Sequence, residues 1–212
     1  CILKNFDANF EKYKKMPYSS KLQTSYHEIG HFIIKHFSGR LINFDTLAIS
    51  IIPTDEYLGI NVFDRTDMVP NDDKDYFIDL IASSLAGRIA EKLFLHKPNN
   101  SGARSDLEQA TKYALDMVTR YGMSKNLCQN RVYINDDTHH HMQNSVLTTK
   151  INSEIEAIIM EAGERAKNLL KTHEKLINIL ATELAKKGIL SKLELEKIIN
   201  TVESSNHPKI IV

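Results

Sequence analysis

His27, Glu28 and His31 stand in the order HEIGH, an HExxH arrangement inside a stretch from Leu22 to Phe37 that reads as a helix. Two positions four apart on a helix differ by about 40° around its axis and about 6 Å along it, so both imidazoles leave the same side. Their nitrogens can then reach one zinc ion at about 2.0–2.1 Å. Glu28 lies about 100° round from His27, near enough for its carboxylate to take a proton from water activated at that metal. The chain holds 9 His and 14 Glu among 212 residues, and at those frequencies chance produces HExxH roughly 0.02–0.03 times per chain. The competing account is an amphipathic helix whose histidines do no more than satisfy core hydrogen bonds.

A catalytic zinc needs a third protein ligand and one open position. Two downstream acids qualify by type. Glu91 closes the segment LAGRIAE and would give a two-His, one-Glu site; Asp106 lies near a helix start in SGARSDL. Spacing does not choose between them. Each is also accounted for as an exposed helix acid, and Asp106 as an acid favoured by the helix dipole.

The elements that must position these groups are mostly helical. After the HExxH helix, which ends at Ser38-Gly39, Asp45 to Ile52 and Tyr57 to Phe63 read as two strands of a small sheet. Asp72 to Leu95 reads as a helix stopped by Lys97-Pro98, and Asp106 to Tyr121 as another, with Gly122 at a left-handed cap. Asn126 to Met142 is irregular, with at most a short strand at Arg131–Ile134. Helical spacing returns over Ser145–Leu170 and Glu174–Lys187, and Ser191 with Glu194 forms a capping box for a last short helix. The expected fold is α+β and mostly α-helical, with a small sheet beside the HExxH helix and a C-terminal helical bundle. One domain over 1–212 is expected, with about 1–144 as the part that holds the HExxH motif and the third ligand and about 145–205 as the helical part.

Composition narrows the classes. Lys+Arg and Asp+Glu are both 27, so the formal net charge is zero, which argues against nucleic acid as a partner. No apolar run approaches the length of a membrane span. Two cysteines, Cys1 and Cys128, cannot build a disulfide framework, and a reducing compartment is expected. A start at Cys1 rather than Met gives the further expectation of a piece of a longer chain.

HEIGH, SLAGRIAE, SGARSDLEQAT and MVTRYGMS, in that order, resemble the peptidase domain of FtsH-type membrane-bound ATP-dependent zinc metalloproteases. The likeness covers nearly the whole chain, including SIIPTDEYLGI at the family's proline-bearing turn and INSEIEAIIMEAGERAKNLL in the C-terminal helices. The resemblance implies a zinc endopeptidase acting on unfolded or misfolded polypeptides, with His27, His31 and Asp106 as ligands and Glu28 as catalytic acid/base. Glu91 would then hold a ligand imidazole in its tautomer. It also implies an ATPase module using ATP and Mg²⁺, one or two transmembrane helices, and a homo- or hetero-hexamer of related subunits. The membrane faced would bound a bacterial cytoplasm or an organelle matrix or stroma. No GxxxxGK[ST] phosphate loop occurs in these 212 residues. An inactive homologue serving as scaffold or chaperone subunit, and a secreted-type peptidase using Glu91 as ligand, are the competing functions.

The segment Tyr57, Leu58, Gly59, Ile60 and Asn61 is expected to bind substrate, as a sheet edge on which an extended peptide adds by main-chain hydrogen bonds. Arg104-Ser105 departs from the more acidic or amide-bearing pair frequent in the family, and His139-His140-His141 is not a family feature. The simplest readings are a helix-surface residue for His36, a small semi-buried residue for Cys128 and a solvated loop for His139–His141.

Overall fold

The computed structural model describes residues 6–66, 72–96, 101–127, 129 and 146–206. Helix α1 (Phe6–Lys15) precedes α2 (Tyr18–Phe37), whose Ile29, Phe32, Ile33 and Ile34 are buried and which also carries the HExxH residues. Strands β1 (Phe44–Ser50) and β2 (Ile60–Arg65) follow, then α3 (Lys74–Leu95), a 3₁₀ turn at Ser101–Ala103 and α4 (Arg104–Thr119). The remainder is α5 (Val146–Thr172), α6 (Glu174–Lys187), β3 (Ile189–Ser191) and α7 (Lys192–Asn206). The architecture is α+β and mostly helical. No helix among the described residues is long and apolar enough to cross a membrane.

Helix α3 is the centre of the packing. Asp73 caps its first turn by accepting from the Tyr76 N–H at 2.9 Å. Buried residues then occupy most of its circumference, from Ile78 and Ile81 to Ala86 and Ala90, as a helix covered on all sides requires. Helix α2 crosses it closely because Gly30 has no side chain; a Cβ there would sit 2.7 Å from the Ala86 carbonyl oxygen. Helix α5 lies along α3, where Arg165 pairs with the buried Asp79 at 2.9 Å and with Asp75 at 2.8 Å. Helix α6 packs on α2, and Tyr26 donates its hydroxyl to Asn178 across that contact. One buried cluster runs from Tyr13 to Val202.

The sheet is antiparallel with order β2-β1-β3, so β2 is an edge strand. Two elements lie outside the sequence-based expectation. Helix α1 is pinned from afar, its Tyr13 hydroxyl donating to the Ala185 carbonyl at 2.8 Å. Strand β3 is three residues long and exists because Gly188, in the left-handed region at φ 83°, turns the chain back beside β1. The second strand begins at Ile60 and not at Tyr57. Thr54 Oγ1 accepts from the N–H groups of Glu56 and Tyr57, and the Thr54 N–H donates to the Tyr57 carbonyl, which closes a turn there. Helix α4 starts at Arg104, two residues before Asp106, and α7 has 15 residues, opened by the Ser191 N–H donating to Glu194. The segments holding Lys97-Pro98, Arg131–Ile134, His139–His141, Cys1 and Cys128 lie outside the described residues.

Candidate metal centre

Helix α2 presents His27 and His31 on one face, and α3 fixes both rings from behind. His31 Nδ1 donates to the Ser83 carbonyl at 2.7 Å, and His27 Nδ1 to Glu91 Oε1 at 2.8 Å. Those acceptors carry no proton of their own, so in the neutral ring, the form that binds a metal, Nε2 is the atom with the free lone pair. The two Nε2 atoms face each other at 3.1 Å. Asp106, from the first turn of α4, closes the group with Oδ2 at 3.1 Å from His27 Nε2 and 3.5 Å from His31 Nε2. One ligand atom from each residue falls within 4.8 Å of the others.

The electrostatics fit a cation at this point. Burial works against a charged His27, but hydrogen bonds to Asp106 and Glu91 and the nearby charge of Glu28 overcome it and push its pKa up to about 10. Burial likewise raises Asp106, yet the imidazoles of His27 and His31 outweigh it and hold the carboxyl far below the usual carboxylate range. A raised His27 and a lowered Asp106 both mark a place where positive charge between these groups is favoured, which a proton or a metal ion can supply. Two imidazole nitrogens and one carboxylate oxygen are a donor set that suits Zn²⁺.

Glu91 stands behind His27, buried, with its second oxygen accepting from Gln23 Nε2 at 2.6 Å. Glu28 is 8% exposed, and Asn61 on β2 donates Nδ2 to its Oε2 at 2.7 Å and to its carbonyl at 3.0 Å. Gly59 lies against the same carboxylate; a Cβ there would meet Glu28 Oε1 at 2.6 Å. Asn61 Oδ1 is buried without a partner. These groups line an open cleft of about 890 Å³ with Tyr57, Leu58, Gly59 and Asn61, while Ile60 pairs with Ser50 and is not part of the wall. His36 is exposed on α2, stacked on Phe32 and edge-on to Phe37.

The profile of peptidase family M41 matches residues 14–198. The chain belongs to peptidase family M41. It is similar to the "ATP-dependent zinc metalloprotease FtsH" of Pseudothermotoga lettingae, 32% identical over 203 residues, covering 88% of this chain and 31% of that protein. The protein of the same name from Caldicellulosiruptor bescii is 33% identical over 202 residues, 89% of this chain and 30% of its own length. The "ATP-dependent zinc metalloprotease YME1 homolog" of Schizosaccharomyces pombe is 30% identical over 188 residues, 85% and 25% respectively. The chain thus spans less than a third of these curated relatives.

Sequence reasoning misses two site features of this M41 chain and gives a third another role. The Ser83 carbonyl carries no sequence signal, because any residue supplies one. Gln23 had a weak signal, one helical turn before His27. Asn61 was read as a substrate contact, and its amide is on Glu28. Of the pair that departs from the family, Arg104 is exposed and bound to Glu108 at 2.8 Å, while Ser105 lines the cleft.

Proposed function

We propose that this chain is the zinc endopeptidase module of an ATP-dependent, membrane-anchored protease, and that it hydrolyses peptide bonds of unfolded polypeptides. The observation that carries this reading is the convergence of His27, His31 and Asp106 with Glu28 in the same cleft. His27 and His31 through Nε2, and Asp106 through a carboxylate oxygen, would hold Zn²⁺. When bound, the metal supplies Lewis acidity, polarising the scissile carbonyl and acidifying water.

The protein's own groups account for the rest. Glu28 takes a proton from the attacking water and returns it to the departing amine. Its Oε2 is engaged by Asn61, which leaves Oε1 for that transfer. Glu91 and the Ser83 carbonyl keep both imidazoles in the tautomer that offers Nε2. The edge of β2 away from β1, unpaired among the described residues, offers main-chain hydrogen bonds to an extended peptide, and Gly59 allows its backbone to approach Glu28. ATP and Mg²⁺ would act in a separate ATPase module, in a homo- or hetero-hexamer facing a bacterial cytoplasm or an organelle matrix or stroma; the names of the relatives support the ATP dependence.

Zinc content and hydrolysis of unfolded casein, measured together for wild type, Glu28→Gln and Asp106→Ala, test the reading. Expected are about one zinc per chain with activity in wild type, and zinc with at least about 100-fold less activity in Glu28→Gln. Asp106→Ala should lose both. Full zinc in Asp106→Ala would remove Asp106 from the ligand set. A zinc-loaded wild type that cleaves nothing would favour a scaffold or chaperone subunit.

A further inference from the structure

We propose that Lys35 is a specificity-determining residue that recruits a carboxylate of the bound peptide, an inference that rests on the peptidase reading above. Lys35 follows His31 by four residues, so it continues the same face of α2 one turn, about 6 Å, beyond the metal centre. It is the one Lys or Arg among the described residues that line the cleft. Across from it, Phe63 shares a face of β2 with Asn61, two positions earlier. The strand that holds Glu28 therefore also meets Lys35. The ammonium stands 4.3 Å from the Phe63 ring centroid and 5.6 Å from that of Phe44, and the two rings meet edge to face at 5.0 Å.

That setting is unfinished. An ammonium has three donors. Among the described residues Lys35 makes these ring contacts and no hydrogen bond or ion pair. Lysines on open surface do find carboxylates: Lys12 reaches Asp55, Lys167 reaches Glu164, and Lys192 reaches Asp45. Lys35 is half-buried, and burial lowers its pKa against the pull of Glu28 and Asp106. A half-buried cation lacking acceptors, beside apolar rings, fits a ligand group with an apolar stem and an anionic head. A Glu or Asp side chain, or the carboxylate at a peptide's end, has that form. Glu28 and Asp106 repel the same charge near the metal centre, so the preference is confined to one peptide position.

The test uses fluorogenic, otherwise neutral peptides in which Glu or Gln occupies each position in turn, with free-acid and amidated ends. For the zinc-loaded wild type, kcat/KM should favour Glu over Gln about five- to tenfold at one position. Lys35→Met should bring that ratio to about one, Lys35→Glu should invert it, and Lys35→Arg should keep it. Fluorescence anisotropy with the zinc-loaded Glu28→Gln protein should show the same order in Kd. A preference that follows the free-acid end and not Glu assigns the site to the chain terminus. Equal treatment of Glu and Gln at every position and both ends, or a wild-type ratio retained in Lys35→Met, overturns the proposal. If Lys35→Met fails to fold, a Lys35→Gln ratio equal to that of Lys35→Arg overturns it as well. Charge-dependent binding without cleavage of any peptide would refute the peptidase reading and leave the carboxylate subsite standing.

Discussion

Replacing Gly87 by Ala tests whether the backbone of α3 sets the geometry of the two histidines. A Cβ at position 87 would lie 2.7 Å from His27 Cε1 and Nδ1 and 2.7 Å from His31 Nε2. Unstrained contact needs about 3.5 Å, so one or both rings must retreat by about 0.8 Å. Neither is free to do so, because Glu91 and the Ser83 carbonyl hold them at 2.8 Å and 2.7 Å. Metal–ligand distances tolerate about 0.2 Å. The zinc Kd should therefore rise by at least about 100-fold, or about 2.8 kcal/mol. Overpacking costs about 1–3 kcal/mol and is offset by up to about 1 kcal/mol of helix propensity. The metal-free protein should thus lose at most about 3 kcal/mol. Gly163→Ala on α5 is the matched control, since its nearest foreign atom is Leu85 Cδ1 at 3.9 Å. It should gain up to about 1 kcal/mol and keep its zinc. Competition titration against a chromogenic chelator and thermal melts of both variants provide the readout. A Gly87→Ala Kd within threefold of wild type would refute the steric reasoning.

Three other outcomes follow from the packing and the site. Gly30→Ala forces α2 off the Ala86 carbonyl and should cost about 1–3 kcal/mol, a fall in Tm of roughly 2–4 °C per kcal/mol; an unchanged melt would contradict the close crossing. Asn61→Ala frees Glu28 Oε2 and should lower kcat about tenfold with zinc content and KM little changed, so a purely KM effect would place Asn61 on substrate instead. Glu154 accepts from Ser124, Lys125 and Asn126; burial raises its pKa, but these hydrogen bonds outweigh that and lower it below the ordinary 4.5. A carboxyl depressed in the folded state stabilises above about 4.5 and loses that contribution as pH falls through the folded value, so the protection factor of the Lys125 amide, its exchange relative to the intrinsic rate at each pH, should fall with acid in wild type but not in Glu154→Gln.

Local covalent geometry made much of this protein legible. The i, i+4 spacing of His27 and His31 already implies one shared helix face, and α6 appears at the bounds its apolar period indicates. Elements held by distant partners were not legible. Helix α1 depends on a hydrogen bond 172 positions away, and β3 on pairing with β1. The start of β2 was misplaced because a side-chain turn at Thr54 outranks the β-prone pattern of Tyr57 to Gly59.

By itself the sequence determined that two imidazoles and an acid share one helix, and which two distant acids qualified to join them. Only the tertiary structure decided their places. Asp106, 79 positions from His27, meets the free Nε2 atoms because α4 packs on α3; Glu91, 64 positions away, reaches the opposite nitrogen of His27 from within α3. No periodicity encodes that difference. It is set by where two helices cross, and a crossing is fixed by small contacts such as Gly30 against Ala86 and Gly87 against the imidazole rings.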